Sequence, residues 1–107
     1  MSAFKNTQKI DTIEFKKNLH CFCPLGQSWC TYQMTCLVFV RDTIPDYMDL
    51  EWEFQKMDGM TMTLEDAVDR VFGAIAEQCK PDSIRVSCYC EDAKHFPVTV
   101  VKEDFIL

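Results

Sequence analysis

Thr31-Tyr32-Gln33-Met34-Thr35-Cys36-Leu37-Val38-Phe39-Val40 is the segment from which the architecture can be built. Tyr32, Met34, Cys36, Val38 and Val40 recur at every second position, the period of a strand whose side chains alternate between two faces. The opposite face begins polar at Thr31, Gln33 and Thr35 and turns apolar at Leu37 and Phe39. Such a strand is expected at the centre of its sheet, or covered at one end by another subunit. Residues 9–17 alternate too, with Ile13 and Phe15 against Glu14 and Lys16, and read as its antiparallel neighbour. Between them, His20-Cys21-Phe22-Cys23-Pro24-Leu25-Gly26-Gln27-Ser28-Trp29-Cys30 reads as a connecting loop of about a dozen residues, long enough to suggest a functional role.

Downstream the period changes. Pro45 suits the first turn of a helix, and Tyr47, Leu50, Phe54 and Met57 make one apolar stripe ended by Asp58-Gly59. A second helix starts at a Thr63 cap with Asp66 three residues on. It continues through Leu64, Ala67, Val68, Val71, Phe72, Ile75, Ala76 and Cys79, and Lys80-Pro81-Asp82 stops it. Ser83 to Cys90 alternates again, and a last strand is expected from Pro97 to Lys102. Paired strands flanking adjacent helices imply an α+β fold, ββααββ. Its antiparallel four-stranded sheet carries both helices on one face, in a single domain spanning residues 1–107. The uncovered face would then hold Leu37, Phe39 and Val101, so a homo-oligomer is expected.

The bulk composition fits this picture. The chain has 107 residues, 48% hydrophobic and 26% charged, enough for one ordinary globular core. A net charge of −6 argues against nucleic acid as a partner, since that affinity rests on cations meeting phosphates. No apolar run is long enough for a membrane span. The first residues lack the apolar core of a secretory signal, so a cytoplasmic location is expected. Seven cysteines without an export signal are expected to be reduced thiols.

The ββααββ order resembles the tunnelling fold (T-fold), a superfamily that includes pterin enzymes and the 7-cyano-7-deazaguanine nitrile reductase of queuosine biosynthesis. Three short segments carry the likeness. Cys23-Pro24 followed by Gly26-Gln27 is similar to the reductase's Cys-Pro…Gly-Gln loop. Ile44-Pro45-Asp46-Tyr47-Met48-Asp49-Leu50 resembles the start of the first T-fold helix. Thr63-Leu64-Glu65 resembles the segment supplying the substrate-anchoring acid. The resemblance implies a purine-, pterin- or deazaguanine-like heterocycle bound between subunits, with Glu65 as the anchor and Cys23 as the nucleophile that adds to a nitrile. It also implies either NADPH-dependent nitrile reduction or pterin-type chemistry. The departures are two. Ser28-Trp29 follows Gln27 where the reductase has Pro and a catalytic Asp, and residues 51–60 lack the family's cations for NADPH phosphates.

Each candidate has a plainer reading. Glu65 is an acid in a first helical turn, which any helix favours. Cys23 is either a nucleophile, with His20 three residues away, or a thiol packed under Trp29. His95, just before the last strand, either reaches a ligand at a subunit interface or belongs to a simple turn at Pro97. Trp29, Tyr32 and Trp52 either stack on a planar ligand or pack. Cys21-x-Cys23 and Cys88-x-Cys90 would offer a four-thiolate zinc site if they met. Their spacing is not the usual one, and the same thiols continue an apolar face. No metal ligand set is assigned. The alternative to a heterocycle-binding protein is a non-catalytic assembly or cysteine-based metal-binding module.

Overall fold

The computed structural model describes residues 3–105. The principal sheet contains β2 (Thr12–Cys23), β3 (Ser28–Phe39), β5 (Ser83–Cys90) and β6 (Val98–Phe105), in the order β2-β3-β5-β6 and antiparallel throughout. Two short strands, β1 (Ala3–Lys5) and β4 (Thr43–Pro45), form a separate antiparallel pair. The helices α1 (Tyr47–Met57) and α2 (Leu64–Cys79) follow one another between β4 and β5. The expected ββααββ core and α+β class are what the structure shows.

Both helices cover one face of the sheet. α2 lies over β5 and β6, while α1 lies beside β2, where Phe54 stacks on Phe15 with ring centroids 6.0 Å apart. The core joins Leu50, Phe54 and Met57 of α1 with Val68, Val71, Phe72 and Ile75 of α2. Against them pack the inward sides of Leu19, Tyr32, Met34, Val38, Ile84 and Val86. Thr63 caps α2 as the sequence predicts, its hydroxyl accepting the Asp66 N–H at 3.1 Å. The uncovered face holds Leu37, Phe39 and Val101, with Phe39 39% and Val101 45% exposed.

Four boundaries differ from the sequence reading. The connection between β2 and β3 is the short turn Pro24–Gln27, because the strands pair in register from Thr12↔Phe39 to Cys23↔Ser28. The alternation runs through the cysteines: Cys21 and Cys30 face each other and are buried, so burial there overrides turn-prone residues. The turn is closed with Gln27 in the left-handed region at φ 51°. Pro45 ends β4, and Asp46 caps α1 instead, accepting the Met48 N–H at 2.9 Å. The last strand runs from Val98 to Phe105, paired along all of β5. The β1–β4 pair was not anticipated. Buried Asn6 helps hold it in place by donating to the Ile10 and Arg41 carbonyls, both at 2.9 Å.

Candidate functional site

The linker between the helices builds one end of the molecule. Gly59 adopts φ 83°, which a side chain would resist, and its N–H donates to the His20 carbonyl at 2.8 Å. The Phe22 N–H then donates to the Met60 carbonyl, and the Met62 N–H to the Phe22 carbonyl, both at 3.0 Å. Thr61 pairs with Phe22 in parallel, and the Asp58 carboxylate accepts the His20 N–H at 2.6 Å. Backbone bonding thus lays the linker along the last residues of β2. Immediately afterwards the chain caps α2 at Thr63 and presents Glu65 beside the β2–β3 turn.

An open cleft of about 390 Å³ lies there, and Cys23, Glu65 and His95 all line it. They come from the end of β2, the first turn of α2 and the connection before β6. Leu25, Leu64 and Phe96 supply apolar walls. Cys23 is half-buried, whereas Glu65 and His95 are exposed. Glu65 forms no ion pair among the described residues and stands in the first turn of α2. His95 Nδ1 lies 2.7 Å from the Phe96 carbonyl oxygen. That proximity requires an Nδ1–H donor and, in the neutral ring, leaves Nε2 as an acceptor.

Tyr32 sits behind Cys23. It is 1% exposed, and its hydroxyl donates to the Met62 carbonyl at 2.9 Å. Burial first, and then the Cys23 sulfur beside it, push the phenol's ionisation upward. It therefore stays a neutral donor. The alternation assigns Tyr32 to the core face, but its closeness to Cys23 depends on pairing that no local pattern reveals.

Several readings of the sequence are corrected by the two faces of the β2–β3 hairpin. His20 is not a partner of Cys23: it projects from the other face and stacks on Trp29 at 5.3 Å. Trp29 does not cover Cys23 either, for it meets Phe22 edge-on at 5.5 Å and remains 51% exposed. Trp52 is exposed on α1, away from the cleft. The four-thiol combination of Cys21, Cys23, Cys88 and Cys90 is not assembled. The donor atoms that converge among the described residues are those of Cys30, Cys90 and Asp92. Nor do the lining residues suit NADPH, since no lysine or arginine borders the cleft to meet its phosphates. Glu51 and Glu53, in the stretch where the nitrile reductase it resembles has cations, pair instead with Lys17 and Lys56.

No protein-family model and no curated protein matches this chain. Among solved structures, it is similar to the crystal structure of the archaeosine synthase QueF-Like in the apo form. The TM-score is 0.78, and the match covers 89% of this chain and 94% of that one. The architecture is the T-fold. Identity over this match is 12%, so the likeness is one of backbone path. The T-fold framework here carries its own set of side chains, including the Ser28-Trp29 step where the reductase has Pro and an acid. Among the described residues no helix is long and apolar enough to cross a membrane.

Proposed function

We propose that this chain is a T-fold protein of queuosine- or archaeosine-type deazaguanine chemistry, binding a planar heterocycle in the cleft of Cys23, Glu65 and His95. The observation that carries the reading is the convergence of these residues, from three separate segments, on one cleft. Glu65 accepts a ring N–H and an exocyclic amine in a charge-assisted bidentate pair. His95 offers Nε2 to the ligand's edge, and Leu25 and Phe96 flank its faces. The cleft is open on one side, and a second copy of the chain completes it.

Cys23 is placed to attack an electrophilic carbon such as that of a nitrile. The sulfur forms the S–C bond, the C≡N bond loses one π pair to nitrogen, and the thiol proton ends on that nitrogen. The product is a thioimide that retains every atom of the ligand. No lysine or arginine lines the cleft to hold a nicotinamide cofactor's phosphates, and the proposed activity is binding and adduct formation.

Intact-mass spectrometry of the reduced protein with 7-cyano-7-deazaguanine, alongside calorimetric titration with guanine and pterins, tests this. The expected result is an increase equal to the whole ligand mass, absent in Cys23→Ala. Glu65→Gln should weaken reversible binding at least tenfold, the loss of roughly one charge-assisted contact. Absence of both adduct and binding at millimolar ligand would defeat the proposal and leave the non-catalytic module.

A further inference from the structure

Two buried thiols and a carboxylate meet at the same end of the sheet, on residues to which the proposed heterocycle site assigns no role. Cys30 lies near the start of β3, Cys90 closes β5, and Asp92 follows two residues later. Cys30 is 2% exposed and Cys90 3%. One donor atom from each of the three residues lies within 4.8 Å of the other two. Sulfur in a core is ordinary, and a small apolar residue would fill the same space. A carboxylate turned toward two such sulfurs is not what packing requires.

The carboxylate is also held from behind. Asp92 Oδ1 and Oδ2 accept the Thr31 N–H at 3.0 and 3.1 Å, while the Cys90 thiol donates to Oδ1 at 3.5 Å. On the other side the Ser28 hydroxyl lies 3.7 Å from the Cys30 sulfur. Outer contacts of this kind orient metal ligands and are part of a site's affinity. Thiolate donors select soft or borderline cations, and two sulfurs with one oxygen suit tetrahedral zinc with one position left for water or a further donor.

We propose that Cys30, Cys90 and Asp92 bind a thiophilic divalent cation of the zinc type, pinning the start of β3 to the end of β5 and the connection that follows. On binding, each S–H bond breaks, both protons leave to solvent, and two S–metal bonds and one O–metal bond form. The cluster's net charge is unchanged, because three anionic donors around a dication replace one carboxylate beside two neutral thiols. No electron is transferred. Asp92 opens the segment that delivers His95 and Phe96, so the ion fixes one wall of the cleft without touching its contents.

Titration of the reduced full chain with cobalt(II), followed by absorption spectroscopy under nitrogen, tests this. The expected result is a near-ultraviolet thiolate-to-cobalt band saturating at one ion per chain, with visible bands of tetrahedral intensity, both removed by zinc. Asp92→Asn, a change at an exposed side chain, should weaken cobalt binding at least tenfold and abolish any zinc-induced rise in melting temperature. Cys30→Ala combined with Cys90→Ala should lose the charge-transfer band, whereas Cys23→Ala should keep it. The proposal is overturned if folded wild-type protein shows no charge-transfer band at millimolar cobalt. It is equally overturned if the band disappears in Cys23→Ala, or if Asp92→Asn binds cobalt as tightly as wild type. Adduct formation at Cys23 is read independently by mass, so the two functional readings fail separately.

Discussion

The two ends of the sheet follow the same alternation but fill it with different chemistry. Where β3 leaves the sheet and β5 enters it, the covered face carries Val38 and Ile84, with Ile75 among the buried residues of α2's last turns. Where β2 turns into β3, it carries Cys21, Cys30 and Cys90, the Tyr32 hydroxyl and half-buried Cys23. Hydrocarbon attracts without direction, and each large aliphatic side chain contributes about 1.5–3 kcal/mol on burial. Thiols and hydroxyls contribute less to packing but have geometry. One end is therefore built to hold the fold and the other to hold chemistry, and the helix linker bonded to β2 keeps the second end in shape.

The contrast is most exposed by truncation. Ile75→Ala at the hydrocarbon end should lower unfolding free energy by about 2–5 kcal/mol in a urea titration, while Cys30→Ala should cost well under half as much. Equal losses would show that the sulfur-rich end is an ordinary core.

Alkali gives a second handle. Burial pushes the Cys36 thiol up to about 12 and the Cys79 thiol up to about 11, from an ordinary value of 9.0. A thiol raised in the folded state contributes its full stability below the unfolded value and loses it progressively until the folded value is passed. Stability should thus hold steady to about pH 9 and then fall, by about 2 kcal/mol for each of these two thiols near pH 10.5. Urea midpoints at pH 8 and 10.5 measure it. A Cys36→Ala variant should show a shallower fall.

Tyr32→Phe is the smallest of the three and tests the chemical end alone. It leaves the Met62 carbonyl without its donor at a buried position, which costs about 1–2 kcal/mol. It should also change the alkylation rate of Cys23. An unchanged rate would separate the phenol from the thiol.

Much of this architecture was legible in the chain because its signals are local. The alternation of residues 31–40 and 83–90, and the stripe from Leu64 to Cys79 behind its Thr63 cap, each lie within a few turns or pleats. The extent of β2 and β3 was not legible. Pro24, Gly26 and three cysteines look like loop, while what extends the strands is Cys21 packing opposite Cys30 across the hairpin. The strands Ala3–Lys5 and Thr43–Pro45 are too short to show a period. Cys23 and Glu65 were named by resemblance, and His95 from its place just before the last strand. The bonds that gather the first two, through Gly59, Met60 and Met62, are made by backbone and leave no side-chain signature. The Cys-x-Cys spacing pointed to Cys88 as a companion of Cys90. The partner that pairing supplies is Cys30, on another strand, with Asp92 beyond the last residue of β5.

That linker has a further effect on how molecules of this chain can meet. By occupying the outward backbone groups of His20 and Phe22, it seals the upper border of β2 against any strand from outside. Among the described residues, what is left for edge-to-edge addition is the lower border, residues 12–18, where Lys16 and Lys17 stand guard, and the outer margin of β6. Neighbours joined along those two margins would extend the sheet sideways while leaving the mouth beside Cys23 unsealed by strand pairing. Side chains from an adjoining molecule, and not its backbone, would then complete the enclosure.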